Sequence, residues 1–208
     1  MTLFPEMFAG PFGSSIVKRA QEKKEIEINI HNLRDWATDK YKSVDDRPYG
    51  GGAGMIMRVD IIDKAVQDLK LKVESGKLKI VLLDAGGKTF NQKMAQKLAT
   101  EENLIFICGH YEGVDHRVHE NLADEVISIG DYVLSGGEIP TMAIVDSVVR
   151  LLPGVLGNEK SLTEESHTKL GEAEYPQYTR PDEYKEWKVP EILLSGNHKQ
   201  INEWRRKL

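Results

Sequence analysis

The chain has 208 residues, of which 40% are hydrophobic and 29% are charged, and its formal net charge is −5. This length suits one domain with a large core, or one domain and a small appendage. The negative charge argues against a protein that coats nucleic acid through a basic surface. There is no apolar run near the length of a membrane span and no signal-peptide pattern, so we expect a cytoplasmic protein that does not engage a membrane.

The first part of the chain predicts a turn, a helix and a strand. Residues 2–8 have the pattern of a strand end followed by a turn at Pro5, and residues 14–22 that of a helix with one polar side. In residues 25–30, Glu-Ile-Glu-Ile-Asn-Ile, isoleucine occupies every second position. This alternation places the three isoleucines on one face of a predicted strand.

Residues 45–54, Asp-Asp-Arg-Pro-Tyr-Gly-Gly-Gly-Ala-Gly, hold four glycines in five positions and predict a loop. It is not the phosphate-binding loop of nucleoside triphosphatases, because Met55 and Ile56 stand where Gly-Lys-Ser/Thr would follow. Two adjacent carboxylates and an arginine suit a polar ligand or a base edge, and a structural Asp–Arg pair is the alternative.

The middle of the chain alternates between short apolar runs typical of strands and the 3.6-residue apolar spacing typical of helices. Strands are predicted at residues 78–83, 104–108 and 124–129, and helices at 59–71, 91–100, from the turn at 109–113 to about 122, and at 141–152. This order predicts an α/β fold with a mainly parallel sheet, which binds ligands beyond the carboxyl ends of its strands. The lone cysteine, Cys108, lies in an apolar run and is expected to be a buried small hydrophobe.

Three glycine-bearing segments follow the predicted strands, at residues 84–87, 109–113 and 130–137. None of them fits Gly-x-Gly-x-x-Gly, which argues against a nicotinamide-dependent enzyme. Gly136 and Gly137 precede a helix whose unpaired N–H groups would face the same loop, so a small molecule suits this position. An ordinary strand-to-helix turn is the alternative.

The last quarter of the chain changes in composition. Residues 158–174 have few large aliphatic side chains and are expected to form a flexible linker. Residues 175–208 are expected to form a small domain ending in a helix at about 199–207. We therefore predict a cofactor-binding domain at 1–157, a linker at 158–174 and a small helical C-terminal domain at 175–208.

Five motifs in the order of one known family span most of the chain. They are residues 45–55, 109–117 (Gly-His-Tyr-Glu-Gly-Val-Asp-His-Arg), 129–138 (Ile-Gly-Asp-Tyr-Val-Leu-Ser-Gly-Gly-Glu), 152–157 (Leu-Pro-Gly-Val-Leu-Gly) and 178–181 (Tyr-Thr-Arg-Pro). Together they resemble the bacterial tRNA (guanine-N1)-methyltransferases, the TrmD family. Several long motifs in the right order are far more specific than any of the glycine loops alone.

The resemblance implies a deep trefoil-knotted α/β domain of the SPOUT class that works as a homodimer and holds S-adenosyl-L-methionine in the knot. It also implies methyl transfer to N1 of guanosine 37 in tRNA, next to the anticodon, with Mg²⁺ as an assisting ion. Asp46 falls in the loop that the family associates with tRNA contact. The residues implied to bind the cofactor are Gly109, Tyr111, Glu112, Gly113, Ile129, Gly130, Tyr132, Val133, Leu134, Gly136 and Gly137.

Methyl transfer to guanine N1 needs a base, because the neutral nitrogen is a poor nucleophile. The family uses an aspartate, and the matching segment here, residues 163–167, reads Thr-Glu-Glu-Ser-His and places Glu165 at that position. Glu164, or a base acting through a bridging water, is the alternative. Arg150 matches the family's functional arginine and would stabilise charge developing on guanine O6.

Two departures from the family motivate a second hypothesis. Glu165 replaces the aspartate, and residues 84–87, Asp-Ala-Gly-Gly, replace the usual Ser-Pro-Gln-Gly. The alternative function is therefore a tRNA-binding relative with impaired catalysis. A third reading, a metal-dependent hydrolase, would rest on a set that lacks a metal-ligand signature: His110, Asp115, His116 and His119.

Overall fold

The computed structural model describes residues 1–73, 76–157, 165–167 and 174–205. The chain forms two compact units, Met1–Glu159 and Lys160–Leu208. The predicted three-part division, with its linker at 158–174, stays a prediction. None of the helices within the described residues is long and apolar enough to cross a membrane.

The elements follow one another in the order expected of an α/β protein. The strands are β1 (Asp45–Asp46), β2 (Ile56–Met57), β3 (Leu78–Thr89), β4 (Asn103–Cys108), β5 (Glu125–Ser128), β6 (Glu183–Tyr184) and β7 (Trp187–Lys188). The helices are α1 (Ala9–Phe12), α2 (Ser15–Glu22), α3 (Val59–Lys72), α4 (Gln92–Leu98), α5 (His116–Asn121), α6 (Glu138–Val149), α7 (Glu191–Leu194) and α8 (His198–Arg205). Short 3₁₀ helices form at Pro5–Phe8 and Leu33–Trp36.

The larger sheet of the first unit is parallel, with strand order β4-β3-β5. Strand β3 is apolar on both faces because helices cover both. Ile80 and Leu82 pack in a cluster with Ile62 of α3, whereas Val81 lies in a second cluster with Ile144 of α6. The α/β fold with a parallel sheet is confirmed, and its carboxyl edge is where the predicted ligand loops lie.

Strand β3 is longer than predicted. The glycine-bearing segment at residues 84–87, expected to follow the strand, instead forms a bulge within it, because Leu83 and Lys88 both align with Ile127 of β5 and the strand then continues to Thr89. Gly87 permits this close approach, since a Cβ there would lie 2.6 Å from the backbone nitrogen of Ile127. The bulge leaves Asp84 and Ala85 at the carboxyl edge of the sheet.

The predicted strand at residues 25–30 is wrong. The segment is assigned to no strand, although Ile26 and Ile28 are half-buried against the cluster that contains Phe8 and Val149. The segment lines a groove of about 1320 Å³ that Phe106 of β4 also lines. Alternation therefore identified Ile26 and Ile28 as core-facing, whereas Ile30 is exposed. A ladder also needs a partner strand about 4.8 Å away, and none of the described strands pairs here.

Three further boundaries differ from the predictions. Thr2 forms only an isolated bridge, to Asn32, before the chain enters Pro5–Phe8. The loop predicted at residues 45–54 begins two residues later, at Arg47, because Asp45 and Asp46 form β1 and pair with the antiparallel strand β2. Helix α6 begins at Glu138 and not at Thr141, since Pro140 falls in the first turn, where no N–H donor is needed.

The second unit contains the β6–β7 hairpin and helices α7 and α8. Strands β6 and β7 are antiparallel, and the rings of Tyr184 and Trp187 lie 5.7 Å apart. Arg205 of α8 lies over the ring of Tyr175 at 4.5 Å. The predicted C-terminal helix is present at His198–Arg205, and residues 206–208 lie outside the described residues.

Candidate cofactor site

One cavity of about 160 Å³ lies at the carboxyl edge of the sheet and opens to solvent. Its walls come from the ends of β3, β4 and β5 and from the first turn of α6. The lining residues are Leu83, Asp84, Ala85, Gly109, His110, Tyr111, Glu112, Gly113, Ile127, Ser128, Ile129, Tyr132, Val133, Leu134, Ser135, Gly136, Gly137 and Pro140. Parallel strands bring these loops together although they are far apart in sequence.

All of the residues predicted to bind the cofactor line this cavity, with the exception of Gly130. Gly130 adjoins the wall, because a Cβ there would lie 2.4 Å from Cε1 of Tyr132. Its role is thus to leave room for the Tyr132 ring. The assignment of these residues to cofactor binding stays a prediction, for which the shared cavity is the structural basis.

Sequence reasoning missed several lining residues, among them Ser128, Ser135 and Pro140. Ser128 is buried at the end of β5, and its hydroxyl donates to the carbonyl oxygen of Gly130 at 2.9 Å. The rule that ligands bind beyond the carboxyl ends of parallel strands would have found it.

Backbone contacts tie the two main glycine loops together. His110 and Gly136 form an isolated antiparallel bridge, and the N–H of Gly137 donates to the carbonyl oxygen of Gly109 at 2.8 Å. A Cβ at Gly137 would lie 2.7 Å from Cα of Cys108 and 3.0 Å from the nitrogen of Gly109. The two loops therefore approach each other as closely as backbone allows.

We expect Gly137→Ala to lower the free energy of unfolding by about 1–3 kcal/mol, because the added methyl meets fixed backbone and separates the two loops. Affinity for S-adenosylmethionine should fall with it. Urea denaturation and calorimetric titration measure the two effects. Gly10→Ala is the matched control, since a Cβ there meets nothing within 4 Å. Wild-type stability and affinity in Gly137→Ala would contradict the close packing of the loops.

The charge of the cavity is negative. Asp84 and Glu112 line it, and there is no Lys or Arg among the described residues that do so. Asp84 Oδ2 lies 3.2 Å from Nε2 of His119. Such a cavity favours a ligand that carries positive charge and disfavours a phosphate-bearing one.

Glu112 also connects the cavity to the glycine-rich loop before β2. Its backbone N–H donates to the carbonyl oxygen of Met55 at 3.1 Å, and Met57 N–H donates to Gly113 at 3.0 Å. A Cβ at Gly54, whose φ is +79°, would lie 2.4 Å from Cγ of Glu112. The loop that follows the predicted tRNA contact, Asp46 of β1, thus abuts the loop that contains Glu112.

The mouth of the cavity is apolar. Tyr132, Val133 and Leu134 line it and are exposed by 56%, 85% and 37% respectively. Adjacent exposed apolar side chains at a cavity are typical of a binding surface. They offer cover for a planar, partly apolar group such as a nucleobase.

Cys108 is buried, as predicted, and plays no nucleophilic part. Burial raises the pKa of its thiol to about 11, although the hydrogen-bond contact between its Sγ and Thr141 Oγ1, at 3.2 Å, acts in the opposite direction. A thiol with this pKa is almost entirely protonated near neutral pH and is a poor nucleophile.

The reading as a metal-dependent hydrolase gains no support. Hydrogen bonds from Arg117 lower the pKa of Asp115 to about 2, and the rings of His116 and His119 stack on each other at 5.0 Å. No group of three His, Cys, Asp or Glu within the described parts of the chain is placed to hold a metal ion. Asp115 instead caps α5 by accepting from the N–H of Arg117.

The other predicted site residues lie elsewhere. Arg150 follows the last turn of α6, at the opposite end of that helix from the cavity. Asp46 is exposed in β1, and its Oδ1 accepts from the N–H of Arg47 at 2.7 Å. Glu165 belongs to the second unit and is partly buried, whereas Glu164 lies outside the described residues.

These features define an α/β protein with an acidic ligand cavity at the carboxyl edge of a parallel sheet. The family model for the tRNA (Guanine-1)-methyltransferase TrmD matches residues 1–208. The chain belongs to this family.

Similar proteins agree with the family assignment. A tRNA (guanine-N(1)-)-methyltransferase of Bacillus cereus (strain AH820) is 56% identical over 207 residues, covering 100% of this chain and 84% of the relative. One of Bacillus anthracis (strain A0248) has the same identity and coverage. The tRNA (m1G37) methyltransferase structure from Aquifex aeolicus has a TM-score of 0.80 and 39% identity, and the alignment covers 98% of this chain and 84% of that one.

Proposed function

We propose that the protein transfers a methyl group from S-adenosyl-L-methionine to N1 of guanosine 37 in tRNA. Its relatives are named for methylation of guanine N1 in tRNA, and the Aquifex aeolicus enzyme for position 37. The observation that carries the proposal is the acidic cavity at the sheet edge, formed by the predicted cofactor loops. The alternative, a tRNA-binding relative with impaired catalysis, finds no support in the comparisons. Since tRNA is its substrate, the protein would work in the cytoplasm.

The residues of the cavity fit this methyl donor. When bound, S-adenosylmethionine supplies an electrophilic methyl group on a positively charged sulfonium. Asp84 and Glu112 would favour its positive charge, and the backbone groups of residues 109–113 and 129–137 would hydrogen-bond its polar edges. Tyr132 and Leu134 would cover the adenine.

Two charged residues outside the cavity complete the proposed mechanism. Glu165 accepts the proton of guanine N1 while the bond from N1 to the methyl carbon forms and the bond from that carbon to sulfur breaks. Negative charge that develops on guanine O6 is stabilised by the guanidinium of Arg150. The products are N1-methylguanosine, S-adenosylhomocysteine and a proton that Glu165 passes to solvent.

The position of Arg150 supports a homodimer. Helix α6 has 12 residues and is therefore about 18 Å long, with the cavity at its first turn and Arg150 just beyond its last. An arginine side chain does not span that distance. We therefore propose that a second copy of the chain contributes Arg150 to each cavity. The trefoil knot stays a prediction from the resemblance.

Magnesium enters the proposal only as an assisting ion. Because none of the described residues form a ready group of three metal ligands, any Mg²⁺ would be held jointly with oxygen atoms of the bound substrates. No step proposed above depends on it.

The proposed function predicts site-specific methylation. Purified protein, radiolabelled S-adenosylmethionine and unmodified tRNA transcripts with guanosine at position 37 should give N1-methylguanosine on nuclease digestion and mass spectrometry. A transcript with adenosine at that position serves as the control and should accept no label. Binding of the donor without transfer to the guanosine transcript would contradict the proposal.

A further inference from the structure

We propose that Glu138 is a positioning residue that holds the two cofactor loops together through His110. This inference rests on the proposed function. Glu138 is the first residue of α6 and follows Gly137, the last glycine of the cavity wall. Its side chain is only 1% exposed and does not line the cavity. A carboxylate buried to this degree costs free energy unless it is paired, so packing alone does not explain it.

Glu138 has a different partner on each oxygen. The hydroxyl of Thr2 donates to its Oε1 at 2.7 Å, in a buried hydrogen bond between residues 136 positions apart. Its Oε2 lies 3.7 Å from Nδ1 of His110. Among the described residues, His110 Nδ1 is buried and has no hydrogen-bond partner, so the carboxylate is the polar group placed to receive it.

His110 connects this pair to the cavity. It lines the cavity beside Gly109 and Tyr111, and its backbone bridges to Gly136 in the other cofactor loop. A Cβ at Gly136 would lie 2.3 Å from Nδ1 of His110 and 2.4 Å from Oε2 of Glu138. The Glu138–His110 pair therefore fills the space directly behind Gly136 and fixes how far the two loops lie apart.

The aromatic contacts of His110 make the arrangement rigid. Its ring lies 4.8 Å from that of Phe4 and 5.5 Å, edge to face, from that of Tyr111. Thr2 and Phe4 belong to one short segment, since the N–H of Phe4 donates to Thr2 Oγ1 at 2.9 Å. One carboxylate thus connects the N-terminal segment, the loop at 109–113 and the start of α6.

The test is a double-mutant cycle on cofactor affinity, with Glu138→Gln and His110→Asn measured singly and together by calorimetric titration with S-adenosylmethionine. Glu138→Gln keeps the size and an acceptor for Thr2 but removes the charge that faces His110. We expect each single variant to raise the dissociation constant about tenfold or more. If Glu138 acts through His110, the double variant should bind S-adenosylmethionine with about the same affinity as the single variant that binds it less tightly. Glu138→Asp, which keeps the charge, should recover part of the loss.

The matched control is Ile144→Val, a fully buried position on the same helix. It should lower the melting temperature without changing the affinity. Unchanged affinity in Glu138→Gln, or fully additive losses in the double variant, would overturn the positioning role. If Glu138→Gln does not fold, unchanged affinity in His110→Asn alone overturns it. Wild-type protein that binds no donor would overturn the proposed function instead, and the two failures are distinguishable.

Discussion

Glu165→Gln is expected to reduce methyl transfer by at least about a hundredfold while leaving the affinity for S-adenosylmethionine within about twofold of wild type. Gln has nearly the size of Glu and retains hydrogen-bonding atoms, but it does not accept the proton of guanine N1. The cavity residues lie in the first unit and Glu165 in the second, so the substitution leaves the cavity residues unchanged. Single-turnover transfer to tRNA and calorimetric titration of the donor measure the two quantities.

Glu191→Gln is the control for this experiment, because it removes the same charge from an exposed position of the same unit. It should retain wild-type turnover. Full turnover in Glu165→Gln would show that another group is the base. The next variant would then be Glu164→Gln, which changes the neighbouring carboxylate that the sequence leaves as the alternative.

A mixture of two inactive variants is expected to regain activity. Arg150→Ala removes the proposed catalytic cation, whereas Leu134→Arg places a cation in the acidic cavity and should exclude the sulfonium donor. Leu134 is 37% exposed, so the substitution is compatible with folding. Each variant alone should retain less than about a tenth of wild-type activity.

The recovery follows from the symmetry of a dimer. After subunits exchange at a one-to-one ratio, about half of the dimers are mixed, and each mixed dimer has one intact cavity facing one intact Arg150. Transfer should therefore rise to about a quarter of the wild-type value per chain. If the activity of the mixture stays at the mean of the two variants although mass spectrometry detects mixed dimers, Arg150 does not act across the dimer.

The sequence predicted those parts of the fold that depend on local pattern. The apolar runs of β3 and β4 and the spacing of α3 were sufficient, because burial on both faces or on one stripe dictates them. The strand predicted at residues 25–30 was wrong, because alternation is a local property of the sequence whereas strand pairing depends on a partner elsewhere in the chain. The bulge at residues 84–88 was also not predicted, since the need for glycine at position 87 arises only from its close contact with Ile127 of another strand.

In the candidate site, too, features that depend on local pattern were predicted, whereas those that depend on distant residues were not. The glycine loops were predictable because parallel strands end at one edge, and the motifs carried the remaining assignments. Glu138 escaped notice because the helix was predicted to begin at Thr141, and because an acidic residue near a helix N-terminus is favoured by the helix dipole and normally exposed. Its burial depends on Thr2 and His110, which are distant in sequence. By contrast, the helix predicted directly after the loop at residues 130–137 already placed Arg150 near its far end, about a helix length from the cavity.

The backbone bonds between the glycine-rich loop and the cofactor loop have a thermodynamic consequence. Met55 accepts from Glu112, and Met57 donates to Gly113, so ordering of one loop restricts the other. A ligand that immobilises either loop lowers the conformational entropy that the second ligand must remove. Such linkage is reciprocal. If bound tRNA raises the affinity for the methyl donor by a certain factor, the bound methyl donor raises the affinity for tRNA by the same factor.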